Sequence, residues 1–467
     1  MKNKILAILS TSVVFLSSGF KPMKAEAVNF AMKGTLNSDS AIVLNLDCNT
    51  IIHEKNADKQ QLPGPLVNIM TAVVCMENCM DLSKEITIDE DVYSYLYDTQ
   101  FPDDLRYGNI IDGDVLTYND LLYAMMLTSS VEAAETIAYN VGGESVSAFV
   151  EMMNQKAAEL GMDSTNFTNP TGMHDAQQYT TARDMITLTQ YALKKSLFEE
   201  ICSTYVYTPS VPNFKNHPIE EKWQWFHSNI MMDEENENYY YKGVKGVKTG
   251  NLEVGGRNII SMASRDGNNY LVIGMNAPIS DSDGALRFYH IDDATQMFDW
   301  AFDHFSYQVI LAETAELGEL PVDLADGNHY VLARPSEEVS FLWYDEIDLA
   351  LISRDNITWY NKELQAPVKM GDALGRVTLE YSGEKLADVE LVAVSDVERS
   401  SLKYNTYAAK LFFKSSWFKK ALIIGAVLSG LYILLCIYAY ILFKSRSKPL
   451  KPIYAVPKFD KEKKKKQ

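Results

Sequence analysis

Residues 242–250 read Lys-Gly-Val-Lys-Gly-Val-Lys-Thr-Gly, and the runs that follow them are typical of β-strands. The segments 255–264 and 270–277 are largely apolar, and Arg265-Asp266-Gly267-Asn268 joins them with a sequence typical of a hairpin turn. This stretch therefore predicts a strand followed by a β-hairpin. The triplet Lys248-Thr249-Gly250 alone is weak evidence for a function, because average composition produces it by chance in roughly one chain of this length in ten.

Upstream of this stretch the chain carries both strand and helix signals. Two strand-like runs at 40–46 and 51–54 suggest a hairpin. In four later segments, apolar residues recur three and four positions apart, which is typical of helices. These predicted helices lie at 66–76, 118–139, 145–160 and 182–194, and a further one lies at 292–305. Strands and helices in this order predict a mixed α/β (α+β) domain, which we place at 28–305.

Beyond residue 305 the pattern changes to short alternating runs separated by turns. Turn sequences occur at Asp326-Gly327 and Ser382-Gly383. The strand-like runs lie at 330–332, 339–342, 349–352, 377–380 and 389–394. Short strands at this spacing predict a small all-β domain, which we place at 306–400.

The charge of the chain is unevenly distributed. Of 43 Lys and Arg residues, 4 lie in 1–27 and 10 in 444–467, which leaves 29 in 28–443. That middle region holds 59 of the 62 Asp and Glu residues, so its net charge is −30 and no nucleic-acid partner is expected. The seven His are scattered, and the five Cys do not form a disulfide framework. We expect no metal site and no cofactor.

The two ends of the chain predict export and membrane attachment. Lys2 and Lys4 precede an apolar run, and Ala25-Glu26-Ala27 offers the small-x-small pattern that a signal peptidase needs, so residues 1–27 are predicted to be a cleaved signal peptide. Residues 421–443 contain no charged side chain and measure about 34 Å as a helix, which is enough to cross a bilayer.

The segments beside this span complete the expected topology. Residues 401–420 are predicted to form an amphipathic juxtamembrane helix, and residues 444–467 a basic cytoplasmic tail. Basic residues flank the span on both sides, so the signal peptide decides the orientation. The expectation is a single-pass protein of the cell membrane with its N-terminal domain extracellular.

Four segments resemble, in order and spacing, the exported serine D-alanyl-D-alanine carboxypeptidases, which are low-molecular-mass penicillin-binding proteins. They are NADKQQLPGPLVNIMTA (56–72), LTYNDLLYAMMLTSSVEAAETIA (116–138), MNQKAAELGMDSTNFTNPTGMHDAQQYTTARDM (153–185) and KGVKGVKTG (242–250). The β region is similar to the family's C-terminal domain, most clearly at 366–371. The resemblance covers about 35–400 and implies a penicillin-binding, serine β-lactamase-like fold that acts on peptidoglycan at the bacterial cell wall.

Cleavage of a D-Ala-D-Ala amide through an acyl-enzyme requires a nucleophilic hydroxyl, a neighbouring amine or base, and N–H donors for the oxyanion. The resemblance assigns these roles to Ser-x-x-Lys, Ser-x-Asn and Lys-Thr-Gly motifs. In this chain Pro65 stands where the nucleophilic Ser belongs, and Asn68 where its Lys belongs. Proline has neither a hydroxyl nor a backbone N–H, so the nucleophile, its base and one oxyanion donor are all absent.

The other two motifs are kept in part. Ser129-Ser130-Val131 stands for Ser-Gly-Asn, so the Ser is kept at Ser129 and the substrate-binding Asn is replaced by Val131. The Lys-Thr-Gly motif is intact, and Asn251 beside it would offer the remaining oxyanion N–H. No catalytic residue is expected, apart from a residual role for Ser129. The expected substrate-binding residues are Lys248, Thr249, Gly250, Asn251 and Ser129.

Three hypotheses about function follow from this pattern. The first is a membrane-anchored pseudoenzyme that binds peptidoglycan stem peptides or a wall-synthesis partner. The second is an active carboxypeptidase with an unusual residue set, in which Ser129 and Lys248 replace the missing groups. The third is a scaffold that uses the β domain. A purely structural interpretation of Lys248, as a leftover side chain in a site filled by Pro65 and Val131, also stays open.

Overall fold

The computed structural model describes residue 30 and residues 32–210, 216–218 and 221–446. The predicted signal peptide at 1–27 and the predicted tail beyond residue 446 lie outside the described residues. The chain divides into two compact units. Unit 1 comprises the chain up to residue 315 together with 337–358 and 376–390, and unit 2 comprises 316–336, 359–375 and the chain from 391 onward.

Most α-helices lie close to the predicted positions; Ser196–Ser203 was not predicted, and two boundaries described below differ. The helices are α1 (Asn68–Asn78), α2 (Tyr118–Thr128), α3 (Val131–Val141), α4 (Val146–Glu159), α5 (Ala182–Leu193), α6 (Ser196–Ser203), α7 (Tyr289–His304), α8 (Ser401–Lys414) and α9 (Ser416–Arg446). Side-chain caps explain several starting points. Thr117 and Asp120 form a capping box at the start of α2, and the Thr181 side chain accepts a hydrogen bond from the backbone N–H of Asp184 in α5.

The β-strands of the described residues range from two to ten residues in length. They are β1 (Ser40–Asn45), β2 (Thr50–Lys55), β3 (Glu85–Thr87), β4 (Val115–Thr117), β5 (Val206–Tyr207), β6 (Trp225–Phe226), β7 (Val244–Leu252), β8 (Gly256–Arg265), β9 (Asn268–Ala277), β10 (Phe305–Leu311), β11 (Gly318–Asp323), β12 (Tyr330–Pro335), β13 (Val339–Tyr344), β14 (Ser353–Trp359), β15 (Leu364–Gln365), β16 (Ala373–Tyr381) and β17 (Glu384–Ala393).

Unit 1 is built on a five-stranded antiparallel sheet with the order β2-β1-β9-β8-β7. The turn between β8 and β9 has positive φ at Asp266 (52°) and Gly267 (86°), which is the backbone of a two-residue hairpin turn, as predicted. The apolar side chains of β1, β8 and β9 are buried, and those of α1, α2 and α3 belong to the same core cluster. Strand β7 lies at an edge of this sheet.

The prediction of one helix over 118–139 is wrong at its centre, where α2 ends and α3 begins. Ser129 adopts a left-handed conformation with φ of 64°, and Ser130 caps α3 by accepting a hydrogen bond from the backbone N–H of Ala133 at 3.1 Å. Serine hydroxyls compete with helical hydrogen bonds, so two in succession allow the chain to turn. The apolar period continues across this break, which is why the sequence pattern did not reveal it.

The C-terminal strands form the predicted all-β part. In unit 1, β10 pairs with β13, and β14, β16 and β17 are neighbours in that order. In unit 2, β12 pairs with residues 391–393 of β17 and with β11, and β11 pairs in parallel with β15. The prediction of a strand at 349–352 is wrong. Leu349–Leu351 is a 3-10 helix, because the Asp348 side chain accepts a hydrogen bond from the backbone N–H of Ala350.

Unit 2 ends in two helices, as predicted, but the break between them lies at Ser415 rather than after residue 420. Helix α8 ends at Lys414, Ser415 has an extended backbone, and α9 begins at Ser416. Helix α9 has 31 residues and a mean hydropathy of 2.4 over its most apolar window. By length and composition it could cross a membrane, and the predicted span at 421–443 lies within it.

Candidate functional site

A cleft of about 190 Å³ lies in unit 1 beside the edge strand β7. Its walls come from the 3-10 turn at Gly64–Val67, the junction between α2 and α3, strand β7 and the start of α7. Three predicted motif segments therefore meet here, because Pro65, Ser129 and residues 249–251 all line the cleft. Segments that are distant in the sequence form one site through the packing of the helices against the sheet.

Pro65 fills the position that the resemblance assigns to the nucleophile. It is buried in the 3-10 turn, where a proline's fixed φ is tolerated. A Cβ atom added to Gly250 would lie 3.0 Å from Pro65 Cδ, so the pyrrolidine ring packs against the backbone of β7. The turn keeps its shape while offering no hydroxyl and no N–H to the cleft.

Asn68 does not act as a substitute base. It is fully buried, and its Nδ2 donates hydrogen bonds to the carbonyl oxygens of Pro170 at 3.2 Å and Thr171 at 3.4 Å. The Thr71 hydroxyl also donates to Pro170 O, at 2.8 Å. Asn68 therefore ties α1 to the segment at 170–171, and an amide nitrogen is no base for proton abstraction because its lone pair is delocalised into the carbonyl group.

Ser129 and Lys248 meet at the wall of the cleft although 119 residues separate them: Ser129 lines the cleft, and Lys248 lies behind it, in contact with the Ser129 hydroxyl. The left-handed backbone at Ser129 presents its hydroxyl to β7, and Lys248 Nζ donates a hydrogen bond to Ser129 Oγ at 2.5 Å. The exposed fraction of Lys248 is 0% and that of Ser129 is 6%. In the part of the chain that the structure describes, no carboxylate lies within 4 Å of Lys248 Nζ.

Burial controls the protonation of this pair. Loss of solvation lowers the pKa of Lys248 to about 7, since an ammonium group away from water is destabilised relative to the neutral amine. Burial, followed by the nearby Lys248 charge, lowers the pKa of His227 to about 3. At neutral pH the site therefore holds an amine that gains or loses a proton readily beside a serine hydroxyl. When protonated, it is a buried cation without a counterion in the described residues.

The residues that follow Lys248 on β7 line the cleft directly. Thr249 Oγ1 and Ser228 Oγ are 2.7 Å apart and share a hydrogen bond. Asn251 lines the cleft as well, and its Oδ1 has no hydrogen-bond partner among the described atoms. Hydroxyl and amide groups here could orient a ligand.

Val131 does not fill the cleft. It is buried at the start of α3, its backbone N–H donates to Arg106 O at 2.9 Å, and it is not among the residues that line the cleft. Replacement of the family's Asn at this position removes a polar group and leaves the cavity in place.

Sequence reasoning missed eight residues of the cleft wall: Arg106, Thr128, Ser228, Ile230, Arg257, Phe288, His290 and Ile291. One feature of the sequence pointed to Arg257: it is the single charged residue in the predicted strand at 255–264. Its place in the site depends on strand register, which pairs it with Asn251. Arg106 lies between short 3-10 turns, in a segment without a helix or strand pattern.

The site has groups that can bind an anion, and it lacks the nucleophile and the base that acylation requires. A carboxylate placed near Lys248, Ser129 and Thr249 would receive one ammonium and two hydroxyl donors, and such charge-assisted hydrogen bonds are among the strongest in proteins. The nucleophile position carries a proline. The cleft therefore keeps the recognition groups of the predicted site and has lost its reacting groups.

Comparison with known proteins identifies the relatives of this chain. The family model described as D-alanyl-D-alanine carboxypeptidase matches residues 25–279, and the model described as penicillin-binding protein 5, C-terminal domain, matches residues 353–399. D-alanyl-D-alanine carboxypeptidase DacF of Bacillus subtilis (strain 168) is 23% identical over 366 residues, which cover 77% of this chain and 86% of the relative. DacA of Haemophilus influenzae is 24% identical over 403 residues, which cover 84% and 95%.

The solved structures agree on the fold. Penicillin binding protein 5 from Haemophilus influenzae covers 79% of this chain and 100% of its own, with a TM-score of 0.53 and 20% sequence identity. At that identity the likeness shows the fold alone. The family model, however, matches more than half of the chain, and both relatives align over most of their length. The chain belongs to the D-alanyl-D-alanine carboxypeptidase family, the low-molecular-mass penicillin-binding proteins, which acts on peptidoglycan.

Proposed function

We propose that this protein binds peptides with a free terminal carboxylate, peptidoglycan stem peptides in particular, and does not cleave them. The observation that carries the proposal is the state of Lys248. Its side chain is fully buried, it donates to Ser129 Oγ, and it has no carboxylate partner in the described residues. A buried, unpaired ammonium is costly, and a ligand carboxylate would supply the counterion.

We assign the ligand carboxylate to Lys248, Ser129 and Thr249. The bond between Thr249 and Ser228 holds the threonine hydroxyl at the cleft, where it needs no large rearrangement to reach a ligand. Gly250 and Asn251 continue the edge strand, so their backbone can pair with an extended peptide in the manner of an added strand. Binding by these groups requires no nucleophile.

The proposed lack of cleavage rests on Pro65 and Asn68. Loss of the nucleophile from such a set of groups reduces the rate by about 10⁶, and loss of one oxyanion donor by about 10²–10³. Pro65 packs against Gly250, and the Asn68 amide is held by two backbone carbonyls, so neither side chain has a substitute role in proton transfer.

We further propose that the protein is exported and anchored. Residues 1–27 would be removed as a signal peptide, the domains at 28–305 and 306–400 would lie outside the cytoplasm, and the tail at 444–467 would lie inside. The length and apolar composition of α9 support one membrane span, and the family's action on peptidoglycan supports the outward orientation. Trypsin added outside intact spheroplasts should digest the domains and spare the Lys-rich tail. If trypsin digested the tail and spared the domains, the opposite orientation would be established.

The test of function uses the full chain in detergent micelles. After incubation with benzylpenicillin, the intact mass should show no adduct. N-acetyl-Ala-D-Ala-D-Ala should bind saturably, Lys248→Met should abolish binding, and Lys245→Met, an exposed lysine on the same strand, should retain it. A stoichiometric adduct, or equal binding to both variants, would refute the proposal. A partner protein recovered equally with Lys248→Met would support the scaffold hypothesis instead.

One observation favours a second candidate, an active enzyme with Ser129 as nucleophile. Lys248 has its pKa lowered to about 7 by burial and contacts the Ser129 hydroxyl, which is the arrangement of a Ser–Lys nucleophile and base. In that reaction Ser129 Oγ would attack the amide carbonyl, Lys248 would take its proton and pass it to the leaving D-Ala amine, and an ester would form. A penicillin adduct that maps to Ser129 and disappears in Ser129→Ala would establish this candidate.

A further inference from the structure

We infer that the cleft contains a second anion subsite, formed by Arg106 and Arg257 beside Phe288 and His290, which binds a second carboxylate of the same peptide. The inference rests on the proposed function, because it places the peptide's terminal carboxylate at Lys248. It narrows the ligand class to peptides that carry an acidic side chain near their C-terminus. None of these four residues belongs to the three motifs.

The charge of the cleft wall is the first support. The wall contains Arg106 and Arg257 and no Asp or Glu, although residues 28–443 have a net charge of −30. Neither arginine forms an ion pair within the described part of the chain. Burial and the neighbouring charge of Arg106 lower the pKa of Arg257, so the two guanidinium groups repel each other. A bound anion would relieve that repulsion.

The environment of Arg257 is the second support. Its guanidinium carbon lies 4.4 Å from the Phe288 ring centroid, so the ring holds the group by a cation–π contact, which does not occupy the N–H donors. The buried Nε of Arg257 has no hydrogen-bond partner among the described atoms. A planar guanidinium supported on one face by an aromatic ring is well suited to bind a carboxylate with two hydrogen bonds.

His290 supplies a third, independent observation. Its exposed fraction is 5%, it lines the cleft, and its Nδ1 lacks a partner in the described residues. Burial, followed by the charge of Arg257, lowers the pKa of His290 to about 3, so its imidazole is neutral at physiological pH. A neutral imidazole can donate one hydrogen bond to an anion without adding a third positive charge. Buried polar atoms without partners are uncommon, which indicates a ligand here.

Strand register sets the spacing between the two subsites. Arg257 pairs with Asn251, which is three residues after Lys248 on β7. At about 3.3 Å per residue, the subsites are roughly 10 Å apart along the strand. A peptide extended antiparallel to β7, with its terminal carboxylate at Lys248, would bring to Arg257 the side chain of a residue two or three positions before its C-terminus.

The test compares two peptides that differ by one charge, N-acetyl-Ala-Glu-D-Ala-D-Ala and N-acetyl-Ala-Gln-D-Ala-D-Ala, by calorimetry on the full chain in micelles. The Glu peptide should bind about tenfold more tightly, as expected for one charge-assisted contact. Arg257→Gln and Arg106→Gln should each reduce this ratio towards one. The matched control is Arg265→Gln at the other end of β8, where the arginine pairs with Asp303 2.7 Å away, and it should keep the ratio.

A second probe, inorganic phosphate, separates failure of this subsite from failure of the proposed function. Phosphate should raise the Tm of the wild type and of Arg265→Gln, and should raise that of Arg257→Gln clearly less. If neither peptide binds but phosphate shows this pattern, the proposed function fails, and the two arginines stand as an anion site without the peptide ligand. If both peptides bind equally, or if the preference for Glu survives both cleft variants, the subsite is refuted and peptide binding stands. Absence of both peptide and phosphate effects overturns both.

Discussion

The pKa of Lys248 predicts that peptide affinity decreases as the pH rises above 7. Burial lowers this pKa to about 7 in the free protein, and an ion pair with the ligand carboxylate requires the ammonium form. At pH 6 most of the free protein already carries the proton, whereas at pH 8 about one molecule in ten does. The dissociation constant of N-acetyl-Ala-D-Ala-D-Ala should therefore be about tenfold higher at pH 8 than at pH 6, or about 1.4 kcal/mol.

Other titrating groups do not produce this dependence. Burial lowers the pKa of both His227 and His290 to about 3, so these side chains stay neutral from pH 6 to 8, and the peptide carboxylate stays ionised. Glu135 has its pKa raised to about 7 by burial, but its Oε1 accepts a hydrogen bond from Tyr95 and it is not part of the cleft wall. Lys248, which contacts the cleft residue Ser129, is thus the group at the site whose charge changes in this range.

The assay is calorimetry of the full chain at pH 6 and pH 8, with two buffers of different ionisation enthalpy at pH 8. The difference in heat between the buffers should correspond to uptake of about 0.9 proton per peptide, since nearly every free Lys248 is neutral there. Lys245→Met should show the same uptake, and Lys248→Met should lose binding at both pH values. Equal affinity at pH 6 and 8, or binding heat that does not depend on the buffer, would refute the reasoning.

Three further results are expected. The double variant Pro65→Ser, Asn68→Lys should form a covalent adduct with benzylpenicillin, measured by intact mass. Pro65→Ser alone should form little adduct, because a nucleophile also needs its base. No adduct in the double variant would show that the cleft has changed beyond these positions. Glu135→Gln should raise the Tm at pH 8 more than at pH 5. Burial raises the pKa of Glu135 to about 7 in the folded protein, above its value in the unfolded chain. As the pH rises between these two values, the wild type therefore loses free energy of unfolding on the order of 3 kcal/mol, which the variant does not lose. An equal gain at both pH values would contradict this. Gly172→Ala should lower the Tm more than Gly161→Ala, although both glycines have positive φ. An added Cβ at Gly172 would lie 2.1 Å from Gly64 O, whereas no atom lies within 4 Å of a Cβ added at Gly161. Equal decreases in Tm would mean that the turn at Gly172 shifts freely.

Local patterns predicted much of the fold. Apolar runs and the Asp266-Gly267 turn placed β8 and β9, and helical periods placed most helices within a few residues. The errors came where a side chain redirected the backbone. Ser130 caps α3 in the middle of a continuous apolar period, and the Asp348 cap replaced a predicted strand with a 3-10 turn. A short polar side chain can override periodicity because one hydrogen bond to a backbone N–H stabilises a turn.

The sequence by itself determined which chemical groups the site has lost. Pro65 has no hydroxyl and no N–H in any fold, so absence of the usual nucleophile follows from residue identity and motif spacing alone. The family followed in the same way, since motif order is a property of the chain. The domain boundaries, the signal peptide and the pseudoenzyme role stay predictions.

Only the tertiary structure decided the physical state of the groups that stay. Lys248 and Ser129 are 119 residues apart, and the lowered pKa of Lys248 arises from solvent exclusion by everything packed around it. Arg106 reaches the cleft from a segment without periodicity, and Arg257 from a strand whose register sets its neighbour. Long-range packing creates both the low dielectric environment and the unpaired positive charge, and neither is encoded in the local spacing of residues.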